Sequence, residues 1–309
     1  QREWKKLWQS AKAGDADAES FQTNWKKLSQ AWQRRREKEG EALEKENVHR
    51  WDLSRSEDFE TWFPQGNGLG STPAKAGDFS VQAEGGQIIS GIYPSGVFSH
   101  SLSNLHRAVL GSPAIRVDQP MRVWFQLIGG GQATVRYVVQ NYPRSGTVYP
   151  IQNIRQPDWY WHQYDMKYWQ GDDVHFELAT SRDAPLQVGN QARSWFGVRE
   201  VVVLPSDQGA PPNLDAESLE FLWCELEADP PRTWKEFKQR YVTSLERAIG
   251  LWKRGEADDA ASLFLNAAVQ LGLLSNSVET VTAAQPLLTS YRQLESEIPL
   301  PFRVPGVSE

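Results

Sequence analysis

Three segments between Arg122 and Leu178 alternate apolar and polar residues with period two, the spacing that puts successive side chains on opposite faces of a strand. In 122–128, Val123, Phe125 and Leu127 share one face and Trp124 and Gln126 the other. In 133–141, Val135, Tyr137 and Val139 oppose Arg136 and Gln140; in 173–178, Val174, Phe176 and Leu178 oppose His175 and Glu177. Shorter apolar stretches at 78–81, 88–93 and 113–117 precede them, and a Val-rich run at 194–204 reads as a strand buried on both faces. Trp51 and Trp62 bracket a first element, and 65–73 is a loop by its Gly, Asn and Pro content. Six to nine short strands without βαβ alternation predict an antiparallel jelly-roll sandwich.

On either side the period changes to that of a helix. Phe21, Trp25, Leu28 and Trp32 form one apolar stripe, after a restart at Gly14 and Asp15 that follows Trp4, Leu7 and Trp8. The mixed-charge run 34–47 reads as a solvated helix end. Beyond a Pro/Gly/Asp-rich linker at 206–213, Trp234, Phe237, Tyr241, Leu245, Ala248 and Trp252 trace a helix face ended by Gly255. Two more helices are expected at 258–274 and 286–296, the last stopped by Pro299 and Pro301. The expected fold class is therefore α+β with a mainly β core, a sandwich (49–205) inserted between N-terminal helices (1–48) and a C-terminal helical segment (206–309). The two helical sets should pack together, because neither alone offers enough surface to bury its tryptophans.

Composition narrows the function. The 309 residues carry a net charge of -6, and no basic run is interleaved with aromatics, so a nucleic-acid partner has little electrostatic support. No apolar run approaches the roughly 20 residues that span a bilayer. The chain opens on Gln1 and reads as an excised piece of a longer protein. The single cysteine, Cys224, rules out an intrachain disulfide and a Cys-based metal cluster.

Several long motifs carry a resemblance. The run 91–106 (Gly-Ile-Tyr-Pro-Ser-Gly-Val-Phe-Ser-His-Ser-Leu-Ser-Asn-Leu-His), with 108–113, 137–143, 146–150, 168–171, 194–200 and the tail 297–306, resembles the central region of large exported planctomycete and verrucomicrobial proteins. Those proteins combine an N-terminal c-type cytochrome domain with planctomycete-specific domains of unknown function. The resemblance implies a periplasmic or cell-surface location and flanking domains as partners, but no haem here, because Cys-x-x-Cys-His is absent. Within the sandwich, the order of 110–115, 123–125, Trp161, Asp165, Gly171 and 174–176 before a Val-rich strand is similar to that of galactose-binding-like jelly rolls, the fold of many carbohydrate-binding modules.

A sugar presents C–H patches that stack on rings and hydroxyls that need planar, multidentate partners. Trp124, Arg136, Gln140, Tyr160, His162, His175 and Glu177 offer that mixture, and the loop 141–149 adds Tyr142, Arg144 and Tyr149. Trp161 and Trp195 read as packing residues within strands. Asp52, Asp58 and Glu200, near the first and last strands, are candidates for a structural calcium site. His100 and His106 lack a third ligand at a recognisable spacing and read as loop hydrogen-bonding groups. For catalysis, Asp172, Asp173 and Glu177 are the nearest approach to paired carboxylates, but neighbouring strand residues face opposite ways, and no nucleophile elbow, phosphate loop or zinc motif occurs. The expectation is a non-catalytic polysaccharide-binding module. The alternative is a structural scaffold that positions the flanking domains, and a covered polar face would favour it.

Overall fold

In the computed structural model, residues 18–43, 49–140, 151–154, 157–183, 192–211 and 217–298 are described. The alternating segments form the strands their period predicts: β8 (Met121–Gly130), β9 (Ala133–Val139) and β12 (Asp173–Ala179). With β1 (His49–Asp52), β2 (Phe63–Gln65), β5 (Val97–Phe98), β6 (Val109–Gly111), β7 (Ile115–Arg116), β10 (Gln152–Ile154), β11 (Tyr160–Asp165) and β13 (Trp195–Pro205), they make two antiparallel sheets. One runs β1-β13-β8-β11, with β5 also on β13; the other runs β10-β9-β12-β6-β2, with β7 also on β12. A separate ribbon pairs β3 (Phe79–Val81) with β4 (Ile89–Ile92).

The apolar phases of β8, β9 and β12 meet in the interior, with Val123, Phe125, Leu127, Val135, Phe176 and Leu178 almost fully buried. Phe125 from one sheet lies 4.9 Å from Phe176 of the other. Burying such a ring contributes about 2–3 kcal/mol. Tyr164 donates its hydroxyl to the Val135 carbonyl at 2.8 Å and ties the sheets together. Between β8 and β9 the chain reverses at Gly131 and Gln132, both with positive φ, 62° and 61°. A Cβ at Gly131 would lie 2.0 Å from the Arg193 carbonyl, so only glycine fits.

Among the described residues, four α-helices follow the sandwich and one precedes it: α1 (Ala18–Leu43), α2 (Glu217–Ala228), α3 (Trp234–Arg254), α4 (Asp259–Gln270) and α5 (Gln285–Glu297). The stripe on α1 is buried against α2 and α3. Trp25 and Trp32 each stack on Trp223 at 5.2 Å, and Phe21 meets Trp234 edge-on at 5.0 Å. Thr233 caps α3 by accepting from the Glu236 amide, and Gly255 ends it in the left-handed conformation. The sequence reading did not single out α2, although Leu219, Leu222, Trp223 and Leu226 follow helical spacing.

The helices hold the sandwich through polar ties at one end. Asp259 on α4 accepts from the Ser95 amide and hydroxyl and from Arg199, and Asn266 accepts from the Ile92 amide. On α5, Arg292 donates to carbonyls of Gln82 and Gly85, and Glu295 pairs with Arg193 and Ser103. All these ties end on the β3–β4 ribbon, the 95–104 segment, Arg193 and Arg199. None of them reaches the outer face of the β10-β9-β12-β6-β2 sheet.

Candidate functional site

Register settles which predicted residues share a surface. Partners across an antiparallel pair point to the same face. Val135 and Phe176 face the core, so their strand neighbours Arg136 and Glu177, which are cross-strand partners, point outward together. Glu177 is in turn opposite Gly111, and Gly111 opposite Phe63. The outer face of this sheet thus carries a row Arg136–Glu177–Gly111–Phe63 across four strands. A second row adds His175 beside Val138, and a third runs from Gln65 through Val109, Ala179 and Thr134 to Asn153.

Exposure falls along the first row from 59% at Phe63 to 8% at Arg136. The Phe63 ring stands free on the edge strand, a state that costs apolar exposure without a packing return. Next to it, Gly111 has no side chain, which leaves a gap about one strand spacing wide, roughly 5 Å. On the far side of the gap Arg136 Nε donates to Glu177 Oε2 at 2.6 Å, its terminal nitrogen meets the same oxygen, and His175 Nε2 lies 3.5 Å from Glu177 Oε1. Burial pushes the Glu177 carboxyl up, but hydrogen bonds from His175 and Arg136 and the guanidinium charge outweigh it and hold the group below the usual carboxylate range. Asn153 Oδ1 is buried without a hydrogen-bond partner.

The other predicted residues lie elsewhere. Trp124 is on the outer face of the opposite sheet, packed with Val202, Leu204 and Trp161. Tyr160 and His162 pair with Leu127 and Phe125, so they point into the interior rather than to a polar face. There burial raises the Tyr160 hydroxyl to about 12 and lowers His162. An edge strand of the sandwich fills its inward phase with rings bearing a polar tip, and alternation alone does not assign such residues. Gln140 ends β9 with positive φ, and its amide is bound to Asp172 rather than presented to the face. Tyr142, Arg144 and Tyr149 lie outside the described residues.

The calcium trio does not form a ligand set. Asp52 Oδ1 accepts from the Ser54 amide and hydroxyl, Asp58 Oδ2 accepts from the Asp52 amide, and Glu200 pairs with Arg50 at 2.8 Å. Asp52 and Asp58 shape the turn after β1, and Glu200 ties β13 to Arg50 of β1. Among the described residues no group of three or more His, Cys, Asp or Glu is placed to hold a metal ion. His100 is buried against Trp195, with ring centroids 4.0 Å apart, and its Nε2 contacts the Tyr93 hydroxyl at 2.9 Å.

Phe63 and Gly111 escaped the sequence reading. Their strands are three residues long, too short to show a period, and a 114-residue separation joins Phe63 to Glu177. The Trp-Phe-Pro run at 62–64 was the one available signal.

No family model and no curated protein matches this sequence. Among solved structures, the chain is similar to a carbohydrate-binding module of family 61 in complex with β-1,4-galactotriose, at 12% identity, covering 48% of this chain and 90% of that one, with a TM-score of 0.29. It is similar to a xylan-binding domain of family 22 from Paenibacillus barcinonensis at 11% identity, covering 53% and 97%, with a TM-score of 0.30. The same score and identity relate it to the K3 cleaved adhesin domain of Lys-gingipain from Porphyromonas gingivalis, covering 52% and 100%. At these scores no ligand and no residue role passes from them to this chain.

Proposed function

We propose that this chain is a non-catalytic carbohydrate-binding module whose ligand lies on the outer face of the β10-β9-β12-β6-β2 sheet. The observation that carries the proposal is the row Phe63–Gly111–Glu177–Arg136: an exposed ring, a gap without a side chain, and a fixed carboxylate–guanidinium pair in line. A sugar ring seated over Gly111 stacks a C–H face on Phe63 and offers a hydroxyl to Glu177. Since both partners shed water for each bond gained, affinity falls in the micromolar to millimolar range, about 4–8 kcal/mol. Catalysis has no support on this face, because Glu177 is committed to Arg136 while Asp172 and Asp173 are held by Gln140 and Arg116.

Membership in a larger exported, cytochrome-associated protein rests on the sequence resemblance alone. The scaffold reading has two observations in its favour: the dense polar clasp of α4 and α5 on the sandwich, which suits a rigid spacer, and the burial of Thr134, Arg136, Val138 and Ala179 on the outer phase of β9 and β12. Two variants separate the readings. Phe63→Ala removes a ring that packs on little, and Gly111→Val fills the gap with a side chain whose Cβ lies no closer than 3.7 Å to Phe63. Both should fold, melt within about 5 °C of the parent, and lose oligosaccharide binding tenfold or more, about 1.4 kcal/mol. Binding unchanged in both variants places the ligand elsewhere.

A further inference from the structure

Resting on that reading of the outer face, we infer that the site takes uncharged glycans and rejects sulfated or uronate-bearing ones. The argument is one of charge and of donor–acceptor balance. Arg136 is the cation at the centre of the face, yet its Nε and terminal nitrogen are both directed at Glu177 Oε2, and it is 8% exposed. Turning it toward an anion would strand a half-buried carboxylate, which costs more than a solvated sulfate contact returns. Arg116 is the next cation on the same face. It lies 3.4 Å from Asp173 and 3.8 Å from Asp118, and Asp172 beside them accepts from the Gln140 amide.

Among the described residues of this face, two arginines therefore stand against four carboxylates. Arg107 and Arg182 sit beyond the Ala179 end of the sheet, with Arg107 3.8 Å from Asp183. A polyanion that extends from the row toward the Asp173 end meets net negative charge among the described residues, and each like charge at contact distance costs roughly 1 kcal/mol even in high dielectric, about fivefold in affinity.

Hydrogen-bonding capacity points the same way. At the centre of the site Glu177 offers a ligand only the spare lone pairs of its carboxylate, Oε2 being bound by Arg136 and Oε1 lying 3.5 Å from His175 Nε2. A hydroxyl donates to them; a sulfate ester or an ionised carboxylate has only acceptors to offer. Leaving a buried acceptor facing another acceptor is the arrangement that discriminates most strongly.

The test is calorimetric titration of the full chain with xylohexaose, cellohexaose and a galactan oligosaccharide, against a hexagalacturonate and a sulfated galactan oligosaccharide, at about 50 and about 500 mM NaCl. The inference expects a neutral ligand to bind about tenfold or more tighter than its acidic counterpart, with a change of less than about twofold between the two salt concentrations. Glu177→Gln frees Arg136 and should weaken neutral binding while narrowing the gap. Asp172→Asn, which leaves Arg136 untouched, should improve acidic binding alone. Equal or tighter binding of an acidic oligosaccharide, weakened by salt, overturns the inference and leaves the site standing. No binding to any of the five removes the site reading itself.

Discussion

Removing the Arg193 side chain probes how α5 is fastened to the sandwich. Its two terminal nitrogens donate to Glu295 Oε1 and Oε2 at 2.8 and 2.9 Å, and Glu295 is 4% exposed although it lies on a surface helix. The Ser103 hydroxyl also donates to that carboxylate, at 2.5 Å from Oε1. Breaking a buried pair from one side costs about 3–5 kcal/mol; because the Arg193 side chain is 29% exposed, solvent reduces this, and Arg193→Ala should destabilise by about 2–3 kcal/mol. The contact from Arg193 to the exposed Glu84 adds less than about 1 kcal/mol. In Arg193→Ala/Glu295→Ala the stranded charge is gone, so the double variant should be more stable than the sum of single losses by about 1–2 kcal/mol. Urea unfolding followed by tryptophan fluorescence reads all four corners of the cycle. Burial raises the Glu295 carboxyl, yet Arg193 and Ser103 more than offset it and the folded pKa is lowered. The unfolded state therefore takes up the proton first, so the clasp contributes fully above the ordinary carboxylate range and is lost as pH falls below it. Additivity within about 0.3 kcal/mol at pH 7 would refute the reasoning.

Two further outcomes follow from the interior. His100, whose pKa burial lowers to about 3, stays neutral in the fold while the unfolded chain protonates near 6.5. Stability should accordingly decline as pH falls below about 6.5, and an NMR titration of the imidazole should show no transition above pH 4; a midpoint near 6.5 contradicts the burial argument. Trp223→Ala deletes the ring on which Trp25 and Trp32 stack and should cost about 3–5 kcal/mol in urea unfolding. A loss under about 1 kcal/mol would mean that α1 contributes little to the helical core.

The faces of β8, β9 and β12 were legible because each strand alternates cleanly and is buried on the predicted phase. The helical stripe at Phe21, Trp25, Leu28 and Trp32 was legible for the same reason. By contrast β11, with Tyr160, Trp161, His162 and Tyr164, has amphipathic rings in both phases, so its inward set looked like a binding face. In α2, Leu219, Leu222, Trp223 and Leu226 do recur at helical spacing, but over only about two turns directly after a Pro-rich linker, and the stripe was passed over. The candidate site was half visible. Arg136, His175 and Glu177 were singled out by period, whereas Phe63 and Gly111 join them only through cross-strand register, which no local pattern encodes.

The most direct test is a crystal structure of the chain soaked with the tightest-binding neutral oligosaccharide. The account predicts a sugar ring over Gly111, stacked on Phe63 and within hydrogen-bond distance of Glu177. A sugar ordered instead against Trp124 and Trp161, on the outer face of the opposite sheet, would contradict it.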